Sequence, residues 1–156
     1  PQPPKVGNSK NLLSLDLENN HLTQVDIEEI PDLFSVILSG NGFTEIPKIR
    51  RREKLIALFM NDNPLKNIES ISSFISMEYL LLKNTTLTTI PSTLGQLQNI
   101  THLILSDNKL SSIPRTLVNL PHLETLNIQN NLISADNIKE IQNIFKKFRP
   151  QTKLIV

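Results

Sequence analysis

The chain has 156 residues, which suits one domain, and its 16 basic and 15 acidic side chains leave a formal charge of +1. So even a balance does not single out nucleic acid, an acidic membrane surface or a polyanionic substrate as the partner. With no cysteine there is no disulfide framework and no thiolate metal site, and no apolar run approaches the roughly 18 to 20 residues that a membrane-spanning helix needs.

In chain order, residues 1–11 come first, a lead-in with three prolines and Val6 as its one sizeable aliphatic side chain through Lys10. Such a segment is expected to be irregular or disordered. No charged start followed by an apolar stretch marks a signal peptide. Nothing in the lead-in seals the first repeat, so the expectation is either that a segment upstream has been removed or that the first strand is an exposed edge where another chain can add.

From Leu12 onward one spacing recurs six times: an apolar residue, then L-x-L, then an asparagine, then a leucine. The copies are Leu12, Leu15, Leu17, Asn20, Leu22; Leu33, Val36, Leu38, Asn41, Phe43; and Leu55, Leu58, Met60, Asn63, Leu65. They continue as Met77, Leu80, Leu82, Thr85, Leu87; Ile100, Leu103, Leu105, Asn108, Leu110; and Leu123, Leu126, Ile128, Asn131, Ile133. Start-to-start separations are 21, 22, 22, 23 and 23 residues. The L-x-L core alternates at period two, so each copy is expected to hold a short strand with leucines on one face and the intervening residues on the other. A short return segment separates consecutive copies. The strands must therefore run parallel, and each repeat buries its leucines only against its neighbours.

The asparagines stand where the chain leaves the strand, and a buried amide with two donors and an acceptor can satisfy backbone groups left unpaired by the turn. They are expected to form a ladder, with a looser turn where Thr85 replaces asparagine. In the fourth and fifth repeats Pro91 and Pro114 are followed by leucines three apart, Leu94 and Leu97, then Leu117 and Leu120, which suggests helical or 3-10 return segments. Lys48, Arg50, Arg51, Arg52 and Lys54 crowd the second return segment, with Arg52 where register predicts an apolar residue. Without interleaved aromatics this reads as a solvated face with one arginine stem lying along the surface.

Residues 135–156 depart from the pattern. Asp136 is a candidate N-cap, and Ile138, Ile141, Ile144, Phe145 and Phe148 recur at helical spacing up to Arg149-Pro150. A helix here would cover the last repeat, and Lys153 to Val156 could add an edge strand.

On these motifs the chain resembles leucine-rich-repeat proteins over nearly its whole length. The pairs Ile46-Pro47, Ile90-Pro91 and Ile113-Pro114 resemble the subclass with repeats of about 23 residues, found in bacterial surface or effector proteins and in Ras-pathway scaffolds. The fold class implied is α/β, a right-handed solenoid with a parallel β-sheet on the concave face, short helical or 3-10 return segments on the convex face, and a C-terminal capping helix. Residues 1–11 would be the lead-in, 12–134 the six repeats and 135–156 the cap. The resemblance implies an adaptor, surface protein or host-directed effector, and favours a secreted or surface-exposed setting over the cytoplasm.

No residues assemble into a catalytic motif: there is no G-x-S-x-G, no phosphate loop and no H-E-x-x-H, and His21, His102 and His122 occupy different phases of the repeat. The expectation is a chain that is not an enzyme and uses no cofactor or metal. The open sheet face is more informative. Its central positions read Asp16, Ile37, Phe59, Leu81, Ile104 and Asn127, so four adjacent strands carry large apolar residues where a solvated sheet would be polar. Two residues earlier stand Ser14, Ser35, Ala57, Tyr79, His102 and Thr125; two residues later Glu18, Ser39, Asn61, Lys83, Ser106 and Gln129 give a polar border. An apolar stripe with aromatic anchors and a polar rim has the composition of an interface. The same stripe also suits plain cross-strand packing. The candidate partner-binding residues are Ile37, Phe59, Tyr79, Leu81, His102 and Ile104, for a protein partner, with no nucleic acid and no membrane insertion; self-association and service as a regulatory domain of a larger enzyme are the alternatives.

Overall fold

A computed structural model describes residues 3, 5, 6 and 9–156. Seven strands form one parallel sheet in chain order: β1 (Ser14–Asp16), β2 (Ser35–Ile37), β3 (Ala57–Phe59), β4 (Tyr79–Leu81), β5 (His102–Ile104), β6 (Thr125–Asn127) and β7 (Lys153–Ile155). The first six coincide with the x-L-x cores of the repeats. They pair with no slip, Leu15 to Val36 to Leu58 to Leu80 to Leu103 to Leu126. One residue of slip would turn every leucine outward, so the buried face fixes the register.

The template leucines fill a core running the length of the solenoid, and those of the third to fifth repeats are fully buried, Leu58, Leu80 and Leu103 among them. Each such side chain contributes about 1.5 to 3 kcal/mol relative to exposure. Return segments close the far side with 3-10 turns at Arg52–Lys54, Glu69–Ser73, Ser92–Gln96 and Arg115–Asn119. Pro91 (φ −66°) and Pro114 (φ −61°) precede the last two, and their carbonyls accept from Leu94 and Leu117 at 3.0 and 3.1 Å. The proline ring holds the φ that the chain needs on entry. The turn at Glu69–Ser73 has no proline; it rests on Ile68, Ile71 and Phe74, three apart and all buried, which is the period of a 3-10 helix. Gly95 marks the closest approach of two return segments, since a Cβ there would lie 2.6 Å from the Cβ and carbonyl oxygen of Thr116. Arg52 lays its guanidinium 5.9 Å from the centre of the Phe74 ring and donates to Ser73 Oγ at 3.2 Å, so its stem does lie across the next repeat.

The turns leaving the strands hold the asparagine ladder. Asn108 Oδ1 accepts from the backbone of Thr85 and Leu87 at 2.9 and 3.1 Å, while its Nδ2 lies 2.7 to 3.2 Å from the carbonyls of Leu82, Leu105 and Ser106. Asn41 repeats the arrangement between the first two repeats. The residue before each ladder position takes left-handed φ in all six repeats: Asn19, Gly40, Asp62, Asn84, Asp107 and Asn130, at 52° to 67°. Asn, Asp and Gly are the residues that tolerate this region. At Gly40 a Cβ would also strike Asn19 Oδ1 at 1.9 Å.

Thr85 alters its turn in a way that differs from simple loosening. It is fully buried and its hydroxyl reaches Leu82 O and Asn108 Oδ1, both at 3.0 Å, toward its own and the following repeat. The reach back to the third repeat is missing, so the Leu65 N–H bonds to Asn63 O within its own repeat, and Thr86, a β-branched residue, sits at φ 62°. His21, at the same place after Asn20, also takes a left-handed φ of 54°, but a β-branched residue such as Thr86 is the more strained there.

At the C-terminus α1 (Ala135–Phe148) replaces the return segment and leads into β7, which pairs with β6. Its N-cap is Ser134, not Asp136: Ser134 Oγ accepts from Asn137 N at 3.3 Å, and Asp136 falls in the first turn, where its charge suits the helix dipole. Phe145 is buried and Ile138 and Ile141 pack on the core, but Phe148 is 57% exposed, with the Lys147 ammonium 5.0 Å from its ring centre. At the other end the lead-in is less irregular than its composition suggests. Lys5 makes a parallel bridge to Asp26 and Val6 packs on the core; positions 1, 2, 4, 7 and 8 lie outside the described residues.

Candidate protein-binding face

The alternation that buries the leucines turns the x positions outward, and the parallel register sets them in rows. Ile37, Phe59, Leu81 and Ile104 stand side by side on β2 to β5, each half-buried by its neighbours. At about 4.8 Å per strand they span about 14 Å. The row ends in polar residues held the same way: Asp16 Oδ1 accepts from Glu18 N, and Asn127 Oδ1 from Gln129 N, both at 3.0 Å.

Tyr79 and His102, neighbours on β4 and β5, stack with ring centroids 5.1 Å apart and planes 21° apart. His102 Nδ1 lies 2.9 Å from Thr101 Oγ1, which fixes the imidazole, and Tyr79 is 38% exposed. The six candidate residues are thus brought onto one surface: a half-buried apolar row and, beside it, a rigid aromatic pair. Such a pair offers area at low entropic cost to an incoming chain.

The polar border is less continuous than the sequence suggests, because Ser39 and Ser106 are buried. Lys83 reaches Asp107 at 3.8 Å, and Asn61 Oδ1 accepts from Lys83 N at 2.9 Å. Sequence reasoning also gave no role to the residues just before each strand. Leu13 and Phe34 there are 52% and 42% exposed, beside half-buried Ile56, and they extend the apolar surface across the first three repeats. Their signal was present as three large apolar residues at one unassigned phase of the repeat.

An open parallel sheet backed by stacked return segments defines a repeat solenoid with one broad, uncovered face. Two models of the leucine-rich repeat match the chain, over residues 11–35 and 75–133, and the chain belongs to the leucine-rich-repeat proteins. Among solved structures, a leucine-rich-repeat protein of Leptospira interrogans is 26% identical with a TM-score of 0.83, the match covering 94% of this chain and 38% of that one. An internalin from Listeria monocytogenes is 19% identical, TM-score 0.71, covering 94% and 41%. A TDR receptor is 23% identical, TM-score 0.66, covering 78% and 23%. The chain therefore spans about two-fifths or less of the length of these structures. No curated protein sequence matches it significantly. Leucine-rich-repeat proteins generally act as protein-interaction modules, and among the described residues no helix is long and apolar enough to cross a membrane.

Proposed function

We propose that the chain is a protein-binding module that holds its partner on the concave sheet, with Ile37, Phe59, Leu81 and Ile104 as the apolar floor and the Tyr79–His102 stack as the directional contact. The observation that supports this most is the row itself: four large apolar side chains in register on a face that the fold leaves open. The repeat core is complete without them, so their cost in solvent exposure calls for a covering partner. Origin as a bacterial surface or secreted protein is the accompanying reading, supported by the 26% identity to the Leptospira protein over nearly all of this chain.

The test is capture of partners by wild type, by Ile37→Asp/Leu81→Asp and by Arg51→Ala on the convex side. Circular dichroism should show three equally folded proteins, and only the concave double variant should lose its partners. Recovery of the same partners by all three removes the stripe as the binding site. Self-association is the second reading, favoured by the outer edge of β1, which no strand among the described residues pairs. Light scattering on wild type and Phe59→Asp separates it, since a monomer at all working concentrations ends that reading.

A further inference from the structure

A second row runs across the solenoid at the margin of the open face, where the chain enters the strands. The residues just before the strands are Leu13, Phe34, Ile56, Glu78, Thr101 and Glu124, and backbone bonds of 2.8 to 2.9 Å tie each N–H to the carbonyl of the one before it. This row runs about 24 Å across the sheet at about 4.8 Å per strand. Its first half is apolar and its second half carries carboxylates. Glu78 and Glu124 line a depression of about 440 Å³ together with Thr101 and His122, and among the described residues neither carboxylate has an ion pair or hydrogen bond. Asp16 and Glu18, at the sheet's other margin, also lack a cation among the described residues.

Cations are scarce on this side. Lys83, just past β4, is paired with Asp107, and Lys153 on β7 is the one lysine within the seven strands. The arginines are gathered on the return segments and the cap, where Arg50 faces Glu29 and Arg51 faces Asp32. A chain of net charge +1 therefore carries, along the margin of its open face, a strip that is apolar at one end and acidic at the other. Opposite charge on a partner would both steer its approach and fix its orientation.

We infer that the occupant of this face is an extended polypeptide segment, aliphatic at one end and carrying arginine or lysine at the other. It lies across the strands with its apolar end on Leu13, Phe34 and Ile56 and its cation between Glu78 and Glu124. Arginine fits best, because its guanidinium can both pair with carboxylates and stack on an aromatic such as the neighbouring Tyr79. About seven residues, at about 3.3 Å each, bridge the row. The inference rests on the concave-face reading above and adds the partner's chemistry and direction.

The experiment is selection from an array of random nonapeptides by the full chain, followed by fluorescence polarisation of the best binder. Selected peptides should be enriched in Arg or Lys toward one end and in aliphatic residues toward the other. Glu78→Gln/Glu124→Gln should weaken the best binder about threefold to tenfold and flatten its salt dependence. Phe34→Ser should weaken it equally at low and high salt. Bound peptides without cation enrichment, affinity unchanged in the double glutamine variant, or no peptide bound at all each overturn the inference. A partner that Ile37→Asp/Leu81→Asp loses, with peptides showing no preference for charge, would leave the concave-face reading standing and remove only this one.

Discussion

The two ends of the solenoid carry the same sequence template and meet different fates. In the last repeat Leu123, Leu126 and Ile128 are buried beneath α1 and β7. In the first, Leu12 and Leu17, the counterparts of Leu123 and Ile128, are only half-buried, although Leu15, the counterpart of Leu126, is buried. The ladder shows the same contrast: Asn41 ties two repeats together, whereas the Asn20 side chain reaches only Glu18 O, at 2.8 Å. A repeat residue therefore takes its energetic weight from the neighbour stacked on it, and not from its own place in the motif.

The largest expected effects test the sealed end. Phe145→Ala should cost about 3 to 5 kcal/mol, because it empties a buried site under the cap, while Phe148→Ala on the same helix should cost about 0.5 kcal/mol or less. The paired test across the two ends is Leu123→Ala, at about 2 to 5 kcal/mol, against its counterpart Leu12→Ala at about half of that. Urea denaturation of all four measures this, and equal losses for Leu123 and Leu12 would break the comparison.

The ladder gives the next effect. Asn108→Ala strands buried backbone groups on two repeats and should cost about 1 to 3 kcal/mol. Asn20→Ala, with one exposed bond to lose, should cost about a few tenths of a kcal/mol. A ratio of melting-point shifts near one would mean that the amides contribute through something other than the repeat-to-repeat bonds.

Most of this architecture is legible in the residues, and the reason is the repeat. Six copies of one spacing fix the strands, their register and the outward rows, so Ile37, Phe59, Leu81 and Ile104 could be placed together from sequence, as could Tyr79 beside His102. Three things were not legible. The stacking of Tyr79 on His102 depends on rotamers, which spacing does not set. The choice of Ser134 over Asp136 as N-cap depends on where the last turn releases the chain, within two residues. The left-handed row from Asn19 to Asn130 was visible as a run of Asn, Gly and Asp, but it lies beside the conspicuous ladder and draws attention only once the φ values are known.

A smaller effect concerns the junction between the third and fourth repeats, which stands between the two ends in quality. Thr85→Asn should restore the missing bond to the third repeat and let the Leu65 N–H find an acceptor there, raising stability by about 0.5 to 1.5 kcal/mol. Thermal unfolding checks it, and a loss of stability would show that the pocket around Thr85 has no room for the amide.

The smallest effect belongs to the open end, whose return segments are tied by charge. Lys54 and Arg51 both reach Asp32, while at the sealed end Arg149 Nε donates to Val118 O at 2.7 Å in addition to the Arg115–Glu140 pair. The hydrogen bond from Lys54, together with the charges of Lys54 and Arg51, holds the Asp32 carboxyl below the ordinary aspartate range against an opposing desolvation. A depressed carboxyl pKa means that the folded state binds the proton less readily than the unfolded one. The stabilisation is therefore complete above the ordinary aspartate pKa and is lost as pH falls through the lower, folded value. Asp32→Asn should be slightly less stable than wild type at pH 7, and the two should converge in acid. Because solvent still reaches the carboxylate, high salt should shrink the difference at pH 7 as well. Melting curves of both proteins at pH 7 and in acid decide it: a gap that persists unchanged in acid would assign the effect of Asp32 to packing, and the open end would then be held by the same forces as the sealed one.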